Sequence, residues 1–189
     1  MQTYNYFPSA IHRAEEPDWL SALQIGEGDW PTANGSSLVQ TENLVNEENF
    51  FNFRKHLETI ASSILEVDGY SVENYEIKTS SIWAQKLISP GQHLLHVHGS
   101  SVFSGFYILK TTENCAYPIF GDPRPGKQMG DLIAPLHNDI KPSTSHIHFN
   151  NLNAGSLFIF NSWLPHQFLS GAPESEVEFL HFVIIASEK

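Results

Sequence analysis

The chain is poor in cysteine, in basic residues and in long apolar runs, and each shortage narrows what it can be. Its one cysteine, Cys115, cannot form an intrachain disulfide, which points to a reducing, intracellular setting. No cationic neighbour favours a thiolate there, so Cys115 is not expected to be a nucleophile. Ten Lys and Arg against 21 Asp and Glu leave a formal charge of −11, which repels phosphate backbones and anionic lipid. Neither nucleic acid nor a membrane is expected as a partner. No apolar run approaches the roughly 18–20 residues that span a bilayer. The opening MQTYNYFPSAIHRAEEPDW lacks the charged and apolar blocks of a secretion signal, so the expectation is a soluble, cytoplasmic protein. Internal repeats and low-complexity tracts are absent as well. What is present is core material: 189 residues, 41% hydrophobic and 12% aromatic, enough for one domain covering residues 1–189 and short for two.

Residues 1–43 scatter aromatics among prolines, glycines and polar residues and read as an irregular arm, with a short strand over 4–7 and a helical turn over 19–23. Within 44–69 the pattern changes. Phe50, Phe53, Leu57, Ile60, Ala61 and Ile64 recur at three- and four-residue spacing, the stripe of a helix that covers a sheet. Asn46 is the expected N-cap and Gly69 the expected stop. From residue 75 to 186 the period is that of strands, over 75–78, 81–88, 93–98, 102–109, 117–120, 146–149, 156–160 and 177–186, separated by Gly, Pro and Asn turns. Short strands with one preceding helix and no alternating helices predict an all-β fold, a double-stranded β-helix of the jelly-roll, cupin-like kind, over any parallel sheet. The stretch 121–145 is too long for a passive connection and is expected to be either mobile or a lid over a site.

The segment QHLLHVHGSSVFSGFYILK, residues 92–110, holds the first chemical signal. His96 and His98 are two apart, so in an extended chain their imidazoles leave one face together. Alone, such a pair is as often a loop hydrogen-bonding device as a metal site. The third candidate is His166, after 67 intervening residues and just behind the apolar strand of GSLFIFNSWLPHQF. Three such donors suit a mononuclear iron site with one face of the ion left open. A second pair, His146 and His148, has no comparable surroundings and is expected to be structural. His181, inside FLHFVII, reads as a core histidine slightly more readily than a functional one.

HVHGSSVFSGFYIL, then GDPR, then GSLFIFNSWLPH, occur in the order in which they mark successive strands of a known family. Over about residues 80–185 the chain resembles the 2-oxoglutarate- and iron(II)-dependent oxygenases of the prolyl-hydroxylase-like group. The resemblance implies that His96, His98 and His166 are the catalytic metal ligands, with His98 in the place usually held by a carboxylate and Asp122 the alternative carboxylate. It also implies a reaction in which 2-oxoglutarate becomes succinate while a C–H bond of a second substrate, a small molecule or a peptide, is hydroxylated. One departure stands out. Where the family has an arginine for the distal carboxylate of 2-oxoglutarate, this chain has Glu178. The expected substitute is Arg124, ahead of Lys110, Lys86 and Lys127, with Tyr107 and Ser104 as further cosubstrate contacts provided the strand is irregular at Gly105. Two alternatives stay open: a cupin-like three-histidine metalloenzyme without 2-oxoglutarate, and a catalytically silent binding module. Self-association as a homodimer also stays open.

Overall fold

The computed structural model describes residue 2 and residues 9–32, 37–125 and 145–189. The strand expected over 4–7, Lys127 and most of the 121–145 stretch lie outside the described residues. Among the described residues the elements run β1 (Ile11–Glu15), β2 (Leu38–Gln40), α1 (Phe51–Val67), β3 (Tyr75–Ile88), β4 (His93–His96), β5 (Phe103–Thr111), β6 (Pro118–Gly121), β7 (His146–His148), β8 (Ser156–Asn161), β9 (His166–Phe168) and β10 (Glu176–Glu188). They form a six-stranded sheet in the order β1-β8-β5-β10-β3-β2 and a four-stranded sheet in the order β4-β9-β6-β7. All pairings are antiparallel. Chain neighbours repeatedly fall in different sheets, and this is the double-stranded β-helix that the strand count led one to expect.

Strand alternation builds two cores from one sheet. Leu157 and Ile159 of β8, Leu180, Phe182 and Ile184 of β10, and Phe103 and Tyr107 of β5 face α1 and meet Phe53, Leu57, Ala61, Ile64 and Leu65. The residues between them, Phe158 and Phe160, Val177 and Phe179, Phe106 and Ile108, face the other way. There they pack with Phe120 and Phe168 of the four-stranded sheet. The interior between the sheets is thus filled by phenylalanine rings, offset or edge-to-face, for example Phe106 against Phe168 at 5.0 Å and Phe168 stacked on Phe179 at 4.5 Å. Gly105 of β5 lies where a Cβ would collide with the Phe182 ring and the Phe158 carbonyl, so only glycine lets these strands approach.

The helix carries the predicted stripe and ends as expected at Gly69, whose φ of +92° suits glycine. Its start differs from the expectation. A 3-10 turn over Glu48–Phe50 leads in, and Phe50 occupies the cap position with no side-chain capping bond, so Asn46 is not the N-cap. Glu58 ties the helix to the sheet by accepting the Thr79 amide at 3.0 Å while pairing with Lys55 at 2.8 Å. The arm contributes two edge strands, β1 and β2, that its composition concealed. No helix among the described residues is long and apolar enough to cross a membrane.

Candidate metal centre

β4 and β9 are antiparallel neighbours, and His96, the last residue of β4, sits directly opposite His166, the first of β9. Their ring centroids are 4.3 Å apart. His98 follows two residues later and is fixed by its amide, which donates to the Ser162 carbonyl at 2.9 Å. The Ser162 hydroxyl is in turn 2.9 Å from that of Ser104 on β5, so a buried serine pair anchors the turn that carries His98. A fourth histidine arrives from the opposite sheet. His181 lies on the interior face of β10, between Trp83 of β3 and Phe106 of β5. One ring nitrogen from each of His96, His98, His166 and His181 lies within 4.8 Å of all the others.

The hydrogen bonds fix the tautomers of two rings. His96 Nδ1 is 2.7 Å from the Leu94 carbonyl and His166 Nδ1 is 2.8 Å from the Leu164 carbonyl. A carbonyl can only accept, so Nδ1 carries the proton and Nε2 keeps its lone pair. The Nε2 atoms of all four rings are buried without a hydrogen-bond partner. Four unpartnered ring nitrogens in one small volume would cost several kcal/mol if nothing joined them. Burial pushes His98 down to about 4 and His166 down to about 3, and the neighbouring histidines add to both shifts. His181 is also held well below its ordinary value by burial. His98, His166 and His181 are therefore neutral at pH 7, the state in which imidazole binds a metal. His93 joins the edge of the group, 4.4 Å from the His96 ring, because an irregularity between His93 and His96 turns both inward.

A family profile described as "Putative 2OG-Fe(II) oxygenase" matches residues 81–176, just over half of the chain. The chain belongs to this oxygenase family. Solved structures share its fold. A Pseudomonas putida prolyl-4-hydroxylase aligns with a TM-score of 0.61 at 12% identity, covering 94% of this chain and 92% of that one. HygX from Streptomyces hygroscopicus, crystallised with nickel, 2-oxoglutarate and hygromycin B, aligns at 0.54 and 9% identity over 93% and 82% of the two chains. An oxidoreductase of the 2OG-Fe(II) oxygenase family from Burkholderia pseudomallei gives 0.51 and 9% over 89% and 75%. No curated protein matches the sequence.

Within this oxygenase the three histidines expected from the motifs come together, and the other expected contacts distribute differently. Asp122 is not in the histidine group; its carboxylate receives the backbone amide and the guanidinium of Arg124. Arg124 is exposed on the loop after β6. The strand is regular at Gly105, so Ser104 and Tyr107 face opposite ways. Tyr107 belongs to the helix-side core and donates its hydroxyl to the Glu16 carbonyl at 2.8 Å, and burial raises it to about 12. It cannot reach a cosubstrate at the histidines. Ser104 lies on the interior side but is fully buried and spent on Ser162.

Glu178 needs the largest correction. It shares a face of β10 with Leu180 and Phe182, away from the interior, and pairs with Lys86 at 2.7 Å. Lys86 also lies over the Trp30 ring, and Lys110 pairs with Glu176 at 2.9 Å. None of these charges enters the barrel, so Glu178 does not repel a dicarboxylate there. The interior face of β10 presents Val177, Phe179 and His181. The donor set fits an iron ion. For 2-oxoglutarate, no cation among the described residues stands on that interior face.

Proposed function

We propose that His96, His98 and His166 hold iron(II) in this oxygenase, on the strength of one observation: their unpartnered Nε2 atoms converge. With iron(II) bound there, the two atoms of dioxygen would be divided between 2-oxoglutarate, which becomes succinate with loss of carbon dioxide, and a C–H bond of the second substrate, which is hydroxylated. The chain's own residues aim and desolvate. The Leu94 and Leu164 carbonyls orient two of the rings, and the Ser104–Ser162 pair sets the third. Phe106, Phe120 and Phe160 form an apolar wall behind His166 that excludes water. His96 and His98 are partly exposed, so a second substrate, a small molecule or a peptide, approaches from their side. The exposed Leu94, Leu95 and Val97 flank these histidines in sequence, and the exposed Trp163 comes three residues before His166.

The distal carboxylate of 2-oxoglutarate is assigned to Arg124. The Gly121 amide donates to the Pro165 carbonyl at 2.9 Å, which ties the loop bearing Asp122 and Arg124 to the residue before His166. Arg124 would trade its Asp122 partner for the cosubstrate, a bidentate exchange that guanidinium geometry favours. Metal analysis of His96→Ala and His166→Ala tests the ligand set, and occupancy should collapse in each. Retained occupancy in either removes that residue. Arg124→Ala should abolish 2-oxoglutarate binding and leave the metal in place. If wild type binds iron(II) with no 2-oxoglutarate affinity, three-histidine chemistry without this cosubstrate becomes the better reading.

A further inference from the structure

We propose that His181 is a fourth ligand of the metal before 2-oxoglutarate binds, so that four histidines from both sheets hold the ion. This rests on the iron-site reading above and extends it to a residue that a three-histidine face does not use. His181 is 2% exposed in a strand that is otherwise apolar around it, and its Nε2 has no partner. A structural core histidine normally repays its burial with hydrogen bonds at both nitrogens. The rings around this one are Trp83 at 5.7 Å, Phe106 at 5.1 Å, His98 at 4.8 Å, His166 at 6.1 Å and His96 and His93 at 6.2 Å. None of these neighbours carries a carboxylate that a protonated imidazole could pair with.

The distances suit one ion. Four nitrogens at about 2.1 Å from a metal lie about 3.4 Å apart in a tetrahedron and up to about 4.2 Å apart across an octahedron. The widest separation in the protein is 4.8 Å, so the widest pair closes by about 0.6 Å to span an octahedron or by about 1.4 Å to fit a tetrahedron. His181 also differs from the others in its support. His96 and His166 stand at strand ends and His98 in the turn beyond, whereas His181 is held mid-strand between β3 and β5. Four protein donors leave two positions on a six-coordinate ion where three leave three; a chelating 2-oxoglutarate would take both, so His181 would have to leave the ion before dioxygen could bind.

X-ray absorption of the iron(II)-loaded wild-type protein, without 2-oxoglutarate, counts the bound imidazoles directly. Four are expected. Three in the wild type would overturn the proposal and leave the iron site itself standing, whereas no bound iron would remove the underlying site as well. His181→Leu supplies a second arm. Three imidazoles and an iron(II) dissociation constant raised at least tenfold are expected, together with a metal-free Tm equal to or above that of wild type, because an unpartnered polar group has been deleted. An unchanged dissociation constant, or a metal-free Tm well below wild type, would mark His181 as a structural core residue.

Discussion

Phe106→Ala should both weaken the fold and loosen the metal centre. The ring is fully buried and meets six others in the interior: Phe160 at 5.2 Å, Phe168 at 5.0 Å, Phe179 at 5.6 Å, Phe120 at 6.5 Å, His166 at 5.6 Å and His181 at 5.1 Å. Its neighbours come from strands of both sheets, so the space left behind cannot collapse by moving one element. Truncation at such a site costs roughly 3–5 kcal/mol, part lost transfer energy and part cavity. At about 2–4 °C per kcal/mol for a chain of this size, the metal-free Tm should fall by roughly 6–20 °C. Thermal unfolding of the metal-free and iron(II)-saturated forms is the assay. The drop should be larger in the saturated form, because His166 and His181 lose the wall that aims them and binding no longer adds its full increment. Equal drops would refute the positioning role of the ring, and a metal-free loss below about 1 kcal/mol would refute the packing account.

The metal-free protein should lose stability in acid. Folded values near 4 for His98 and His93 and near 3 for His166 lie below the unfolded 6.5, so between these limits the unfolded chain binds more protons. The stability is fully present above pH 6.5 and is lost as pH falls toward the folded values. By pH 5 the buried His166 alone accounts for about 2 kcal/mol; a urea midpoint equal at pH 7.5 and pH 5 would contradict this. Glu178→Arg should leave 2-oxoglutarate affinity unchanged, since residue 178 faces away from the interior. Setting a second cation beside Lys86 should still cost roughly 1–3 kcal/mol. Isothermal titration and a melt read the two effects separately, and a changed 2-oxoglutarate affinity would put residue 178 in the pocket after all.

The features that were legible in the sequence are those written in a period or a spacing. The stripe of α1, the alternating apolar strands and the three histidines of two motifs all survive in the structure. What stayed hidden depends on parity and pairing. His181 sits in FLHFVII, a run that reads the same whether the histidine faces the helix or the interior. Only its register against Trp83 and Phe106 shows that it joins the cluster. Parity also decided Glu178, because matching by distance from His166 cannot tell which face of β10 a residue takes. Tyr107 could face the histidines only with a bulge at Gly105, and the glycine there serves a close approach instead. His93 turns inward through an irregularity in β4 that leaves no mark in the sequence. The edge strands β1 and β2 are short and polar on one side, so in an arm rich in proline and glycine they looked like loop.

The central claim is that the histidine cluster holds the iron of a 2-oxoglutarate-dependent oxygenase. Anaerobic titration of the metal-free protein with iron(II) and then 2-oxoglutarate tests it most directly, by following the visible charge-transfer band of the chelate. One equivalent of iron(II) followed by one of 2-oxoglutarate should saturate the band in wild type, and His166→Ala should show none. A wild-type protein that takes up no iron(II), or that gives the same band without His166, would contradict the account.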